Sequence, residues 1–285
     1  LLKQRIITAI WLVPLVLGAI FLLPANYFAW ALVGVFLIAA KEWGRIIDNQ
    51  CDVTQWSFTC TVGILLVALN LIVPIDAVWL SHQLHPIYLA ILYIGALWWF
   101  ASLLLVVTYP KSAKFWQKNP MFKSMFGQLT LIPCFVALIA LKSISSQASP
   151  YYGPVLVLLV MLIVWAADSG AYFVGKAIGK TKLMPAVSPA KTLEGLLGGL
   201  VTTMIVVGAV MYYSPEQELG LVVAVTLFVA LVSALGDLSE SMFKRAACIK
   251  DTGTILPGHG GVLDRIDSLT AALPVFTLIY IAFWM

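Results

Sequence analysis

Asp264 and Asp267 stand three residues apart at the end of SMFKRAACIKDTGTILPGHGGVLDRID, residues 241–267, which also carries Lys244, Arg245, Lys250, Asp251, His259 and Arg265. Residues three or four apart share one face of a helix, so the two aspartates point together, and Asp237, Ser241 and Lys244 line a second face. Asp168, in VWAADSGAY, is a fourth carboxylate set among apolar residues. Clustered carboxylates repel one another unless something positive sits among them. A hard divalent cation meets that need, because Mg²⁺ takes oxygen ligands, typically one or two carboxylates with substrate phosphates and water. The competing reading pairs the aspartates with Lys244, Arg245, Lys250 and Arg265 as interfacial salt bridges.

Anion-binding parts accompany the carboxylates. The segment SPAKTLEG puts Ser188, Lys191 and Thr192 at the expected start of a helix, where free backbone N–H groups and the helix dipole favour phosphate. The same three residues also read as a helix cap beside an ordinary cytoplasmic lysine. The run GKAIGKT looks like a P-loop and fails as one: three residues separate Gly175 from Gly179 where four are needed, and no strand precedes it. In PGHGG the glycines let backbone approach a ligand closely, and His259 between them reads equally as a structural or a ligand-contacting histidine.

The elements that must hold these residues are membrane helices. The chain has 285 residues, 61% hydrophobic and 11% charged, with a mean hydropathy of +0.98, where soluble domains carry about 25% charged residues. Its apolar runs approach the roughly 20 residues that cross a hydrocarbon core about 30 Å thick, without the alternation of a β-barrel. The expected fold is all-α, a polytopic transmembrane helical bundle of about nine spans near 6–23, 27–40, 57–75, 87–108, 125–141, 154–175, 192–213, 219–240 and 265–284. The first run is longer than a signal-peptide core and a second follows at once, so it reads as a retained helix. The second extends through Trp43, and neighbouring helices accommodate Pro133 in the fifth. Residues 1–285 read as one integral membrane domain, with N-terminal spans in 1–150 and the chemically distinctive spans in 151–285.

With the N-terminus cytoplasmic, sixteen of the seventeen Lys and Arg residues fall on the inner side, and only Lys142 lies outside. The positive-inside rule demands that one-sidedness. Asp168 then lies eight residues before Lys176 on an inward-running span, about 12 Å of helix at about 1.5 Å per residue, and Asp237 sits at nearly the same depth. An Asp near the bilayer centre costs about 2.5–3.5 kcal/mol on insertion scales, so such residues mark function. Four carboxylates from three spans are expected to converge on the cytoplasmic side. Gly195 and Gly199 form a G-x-x-x-G face that reads first as packing within the chain and second as a homodimer seam. The cysteines Cys51, Cys60, Cys134 and Cys248 form no C-x-x-C pair and indicate neither zinc nor a disulfide framework.

The 241–267 stretch resembles the signature of the phosphatidate cytidylyltransferases, the CDP-diacylglycerol synthases. That signature runs S-x-apolar-K-R, four residues, K-D, then P-x-H-G-G-apolar-x-D-R-apolar-D. Ser241, Lys244, Arg245, Lys250, Asp251, Pro257, His259, Gly260, Gly261, Asp264, Arg265 and Asp267 match it without departure. WAADSGAY, SPAKTLEG and GDLSES are similar to the bacterial members as well, whereas the first 150 residues are much less specific. The resemblance implies transfer of the cytidylyl group of CTP to phosphatidic acid with Mg²⁺, in phospholipid synthesis at a bacterial inner membrane, with the active site facing the cytoplasm. On that reading Asp237, Asp264 and Asp267 ligate the cation and Asp168 is a further ligand or stands behind them. Ser188, Lys191, Thr192, Lys244, Arg245, Lys250 and Arg265, with Ser241, hold phosphates, and His259 contacts a phosphate or orients a ligand. The resemblance also allows a second cation, a monovalent one included. The net charge of +4 draws the inner loops to anionic lipid and is no evidence for nucleic acid.

Two rivals remain. A CDP-alcohol phosphotransferase pairs D-G-x-x-A-R with D-x-x-x-D, whereas D-x-x-D follows H-G-G here. A cation transporter could use the acidic residues as an ion pathway, but polar residues would then continue toward the outer face, and the last two spans are almost wholly apolar there.

Overall fold

In hydrocarbon every backbone N–H and C=O must be satisfied within the protein, so the apolar runs fold as helices. A computed structural model describes residues 2–81, 83–145, 149–258 and 260–285, with side chains at Thr8 and from Ile10 onward. The helices are α1 (Leu2–Leu22), α2 (Ala25–Ile47), α3 (Asp52–Ile72), α4 (Pro86–Val107), the short α5 (Ala113–Trp116), α6 (Pro120–Lys142), α7 (Tyr152–Ile178), α8 (Leu193–Tyr213), α9 (Leu219–Ala246) and α10 (Leu263–Trp284). Among the described residues seven of them, α3, α4 and α6 to α10, are long and apolar enough to cross a membrane. The chain is a multi-pass membrane protein.

The helix ends follow local chemistry. The Asn119 side chain accepts from Met121 N–H at 2.9 Å and caps α6, and Pro120 takes the first helical position, where its missing N–H costs nothing. Helix α3 spans Asp52–Ile72 where 57–75 was expected, and it stops just before Val73-Pro74, because a residue preceding proline is pushed out of the helical region. Helix α2 runs past Lys41 and Glu42 to Ile47, since its charged last turns find partners inside the protein. Pro133 does not end α6: it packs against Gly95 of α4, where an added Cβ would come within 2.6 Å of the proline ring.

Among the described residues two short antiparallel hairpins interrupt the helical bundle. One pairs β1 (Trp79–Leu80) with β2 (Gln83–Leu84), and the other pairs β3 (Lys182–Met184) with β4 (Ser188–Thr192). The second lies between α7 and α8, where the chain turns polar and backbone groups can pair across strands. Ser188 and Lys191 therefore stand on a strand, and of the predicted helix-start residues only Thr192 caps α8, its Oγ1 accepting from Gly195 N–H at 3.1 Å.

Helices α7 and α8 pack along a seam of small residues. A Cβ on Gly195 would lie 2.8 Å from the Ala171 carbonyl oxygen, and one on Gly199 would lie 2.6 Å from that of Ala167. The G-x-x-x-G face is thus covered within the chain, as the first reading held, and is not free to form a dimer seam. Gly199→Ala should destabilise the detergent-solubilised protein by about 1–3 kcal/mol, because the new methyl group meets backbone that cannot yield. Gly208→Ala, on the same helix with open space around it, should leave the thermal midpoint unchanged or raise it slightly.

The C-terminal end of α9 is held from behind by aromatic rings. Phe243 lies 5.0 Å from Trp116, 5.3 Å from Trp43 and 5.7 Å from Phe126, centroid to centroid. Such pairs add about 0.5–1.5 kcal/mol each beyond their burial. They fix the backbone that carries Asp237, Glu240 and Lys244. Lys142, the one basic residue expected on the outer side, is buried; it donates to the Ile20 carbonyl oxygen and lies 4.9 Å from the Phe28 ring centroid.

Candidate active site

The chemically active residues meet where α7, β4, α8, α9 and α10 converge. A cavity of about 650 Å³ opens there, lined by Asp168, Lys191, Thr192, Asp237, Lys244, Asp251, Asp264, Arg265 and Asp267 among others. All four aspartates singled out from the sequence face this one space. Asp237 of α9 is near enough to Asp168 of α7 and to Asp267 of α10 for its charge to act on both.

Among the described residues two lysines of the cavity are held in ion pairs. Lys191 of β4 lies 2.5 Å from Asp237 Oδ2, and Ser241 Oγ donates to Asp237 Oδ1 at 3.3 Å. Lys244 sits between two carboxylates, 2.9 Å from Glu240 Oε1 and 2.8 Å from Asp264 Oδ1. Glu240 is four residues before Lys244, the spacing at which a helix sets such a pair side by side.

Asp264 ties the cavity to the loop between α9 and α10. Its Oδ2 accepts from Thr252 N–H at 3.0 Å, Thr252 Oγ1 at 3.0 Å and Gly261 N–H at 2.8 Å. That oxygen is saturated. Oδ1 accepts only from Lys244 among the described contacts and keeps acceptor capacity, since a carboxylate offers about four lone-pair sites. The loop is thereby folded around the first turn of α10, with Gly260 at φ +84°, a conformation open to glycine.

Three predicted binding residues lie elsewhere. Arg245 donates from Nε to the Val187 carbonyl oxygen at 3.3 Å, so it holds the β3–β4 turn against α9 and does not line the cavity. Lys250 is exposed on the loop, and Ser188 begins β4 away from the lining. His259 falls outside the described residues. Glu240, Asp251 and Glu42 were not singled out from the sequence. Glu240 had a legible signal in its four-residue spacing to Lys244, and Glu42 in being a carboxylate inside a predicted span; Asp251 stood in the signature without a role.

The donors are all hard oxygens, as Mg²⁺ requires. Among the described residues no three carboxylate, imidazole or thiol groups already form a metal cage. The set fits a cation that takes one or two carboxylates from the protein and its remaining ligands from phosphate and water. Ala230, Ser233 and Ala234 of α9 also line the cavity. Ser233 Oγ donates back to Ala230 O at 2.8 Å and Thr277 Oγ1 to Leu273 O at 2.8 Å, and Val225, Val229, Ala272 and Phe276 of the same two helices are buried.

A family comparison decides what this arrangement belongs to. Residues 3–283 match the model of the cytidylyltransferase family. The chain belongs to that family. This cytidylyltransferase is 42% identical to the phosphatidate cytidylyltransferase of Haemophilus influenzae, over 98% of its own length and 99% of that protein's. It is also 42% identical to the phosphatidate cytidylyltransferase of Pseudomonas aeruginosa, over 100% and 99% of the two chains. With the Staphylococcus aureus enzyme of that name, 48% identity covers 44% of the cytidylyltransferase described here and 48% of the relative.

Proposed function

We propose that the protein transfers the cytidylyl group of CTP to phosphatidic acid, giving CDP-diacylglycerol and pyrophosphate. The supporting observation is the joining of four aspartates with Lys191, Lys244 and Arg265 in one cavity, in a chain matched end to end by relatives named for this activity.

The reaction joins a phosphate oxygen of phosphatidic acid to the α-phosphorus of CTP and breaks the bond from that phosphorus to the bridging oxygen of the β-phosphate. The attacking phosphate monoester is largely dianionic near neutral pH, its second pKa being about 6, so no strong general base is needed. The difficulty is to bring two anions together, and positioning and charge stabilisation account for most catalysis of this kind. Lys191, Lys244 and Arg265 supply fixed positive charge, and Thr192 and the start of α8 add hydrogen-bond donors. The Lys191–Asp237 pair can exchange partners, with Lys191 passing to a phosphate and Asp237 to the cation that the nucleotide carries. Asp237, Asp264 and Asp267 would hold Mg²⁺, with Asp168 beside them. A cation held by these carboxylates would supply positive charge to offset the negative charge of the triphosphate and pyrophosphate. The same acidic cluster has room in charge for a second cation.

The nine long helices among the described residues support a nine-span arrangement in which α1 and α2 cross the membrane too. Thr8 of α1 donates to Pro257 O at 2.9 Å, and Arg45 of α2 to Thr252 O at 3.1 Å, so both helices bring their basic ends to the level of the cavity. With that end in the cytoplasm the site meets a soluble nucleotide and a lipid headgroup at once, at the inner membrane of a bacterium.

The test supplies purified protein with phosphatidic acid and CTP labelled at the α- or the γ-phosphorus. Label should enter the lipid-extractable product from α-labelled CTP alone, and only with Mg²⁺; chelation with EDTA should abolish it and added Mg²⁺ restore it. Labelled lipid from the γ-position, or none from a folded and lipid-supplied preparation, would overturn the reading.

A further inference from the structure

The loop that carries much of the signature is held from behind by a helix of the less specific N-terminal half. Glu42 of α2 is 4% exposed, and its carboxylate lies against the loop and not in the cavity. Its Oε2 accepts from Leu263 N–H at 2.7 Å and its Oε1 from Val262 N–H at 3.1 Å, which are the first backbone donors of α10. Those donors have no partner within their own helix, and a carboxylate there also meets the positive end of the helix dipole. A side chain from more than two hundred positions away thus caps α10 where no residue of α10 or its own N-cap does so.

The fit is steric as well. A Cβ on Gly253 would lie 2.1 Å from Glu42 Oε1, and one on Gly261 would lie 2.5 Å from Oε2. Glu42 packs against both arms of the loop where Gly253 and Gly261 meet, a Cβ on Gly253 lying 3.0 Å from Gly261 Cα. Gly261 N–H is also a donor to Asp264 Oδ2, and Arg45, one turn further along α2, holds the carbonyl of Thr252, whose N–H and hydroxyl donate to the same oxygen. The backbone that Glu42 and Arg45 grip is the backbone that orients Asp264.

We propose that Glu42 is a positioning residue for the transfer reaction: by capping α10 and packing against Gly253 and Gly261 where they meet, it sets where Asp264 and Asp267 stand in the cavity. The inference rests on the cytidylyltransferase reading for its consequence, and on the loop geometry alone for its mechanism. Partners that orient metal-binding groups typically change affinity or activity by about 10–100-fold when removed.

The experiment compares the full-length wild-type protein with Glu42→Gln, with Gly261→Ala, which presses on the same contact from the loop side, and with Asp52→Asn as an exposed control on the neighbouring helix. Below the thermal midpoint of each, cytidylyl transfer is measured against Mg²⁺ concentration, and hydrogen–deuterium exchange is followed over residues 250–266. Glu42→Gln and Gly261→Ala should each raise the Mg²⁺ concentration for half-maximal rate or lower kcat by about 10–100-fold. Exchange should accelerate in 250–266 while α7 and α8 keep wild-type protection. Folded variants with wild-type rate and Mg²⁺ dependence would overturn the inference, and so would wild-type exchange in that segment. A wild-type protein that makes no CDP-lipid would overturn the function reading instead, which the unmutated sample reveals by itself.

Discussion

Asp264→Asn should lower cytidylyl transfer by about 10²–10³-fold, the loss typical when one preorganised electrostatic group is removed from a reacting site. Asparagine keeps the shape and loses the symmetry of the carboxylate. Oδ2 accepts three hydrogen bonds from Thr252 and Gly261, and Oδ1 accepts one from the Lys244 ammonium. An amide offers one oxygen and one NH₂, so either orientation sets donor against donor: NH₂ toward the loop opens it, and NH₂ toward Lys244 expels the ammonium. Both outcomes also remove a negative charge from the proposed Mg²⁺ site. Single-turnover transfer from α-labelled CTP, with Mg²⁺ varied, measures the loss. A folded Asp264→Asn protein with wild-type transfer would take Asp264 out of the site.

Lys244→Met is expected to act first on stability. The ammonium lies between Glu240 and Asp264, whose side chains are each 4% exposed, and its own side chain is 12% exposed. Removing one partner of a buried ion pair leaves an uncompensated charge and costs about 3–5 kcal/mol. The thermal midpoint in detergent should fall accordingly. Lys244→Met combined with Glu240→Gln should recover much of that stability, since one of the two orphaned carboxylates is then neutral. Transfer activity should stay low in the double variant if Lys244 contacts a phosphate. Recovery of activity along with stability would reduce Lys244 to a structural cation.

The convergence of Asp168, Asp237, Asp264 and Asp267 was legible because helical rise and the sidedness of the lysines place all four at one depth. The Lys191–Asp237 contact was not, for it depends on a strand that no hydropathy pattern announces: β4 is a polar segment whose pairing with β3 is settled in three dimensions. The placement of Arg245 is likewise decided by tertiary contacts. Its position in the motif promised a phosphate contact, yet the helix turns it toward Val187, because Lys244 beside it already occupies the inward face. Glu42 was hidden by sequence distance, since the backbone donors it serves lie at the far end of the chain and only folding brings them together.

The layer above the carboxylates has a consequence for the cell as well as for the chemistry. A cluster of ionised groups sunk into a bilayer invites protons and cations to follow it across, and a bacterium lives on the voltage that such a short circuit would drain. Here the hydroxyls of Ser233 and Thr277 are turned back onto their own helices, and Val225, Val229, Ala272 and Phe276 of the same helices are buried. With those two hydroxyls already committed to backbone, these turns of α9 and α10 would act as electrical insulation beside the carboxylates, letting a polar reaction proceed next to hydrocarbon without discharging the membrane.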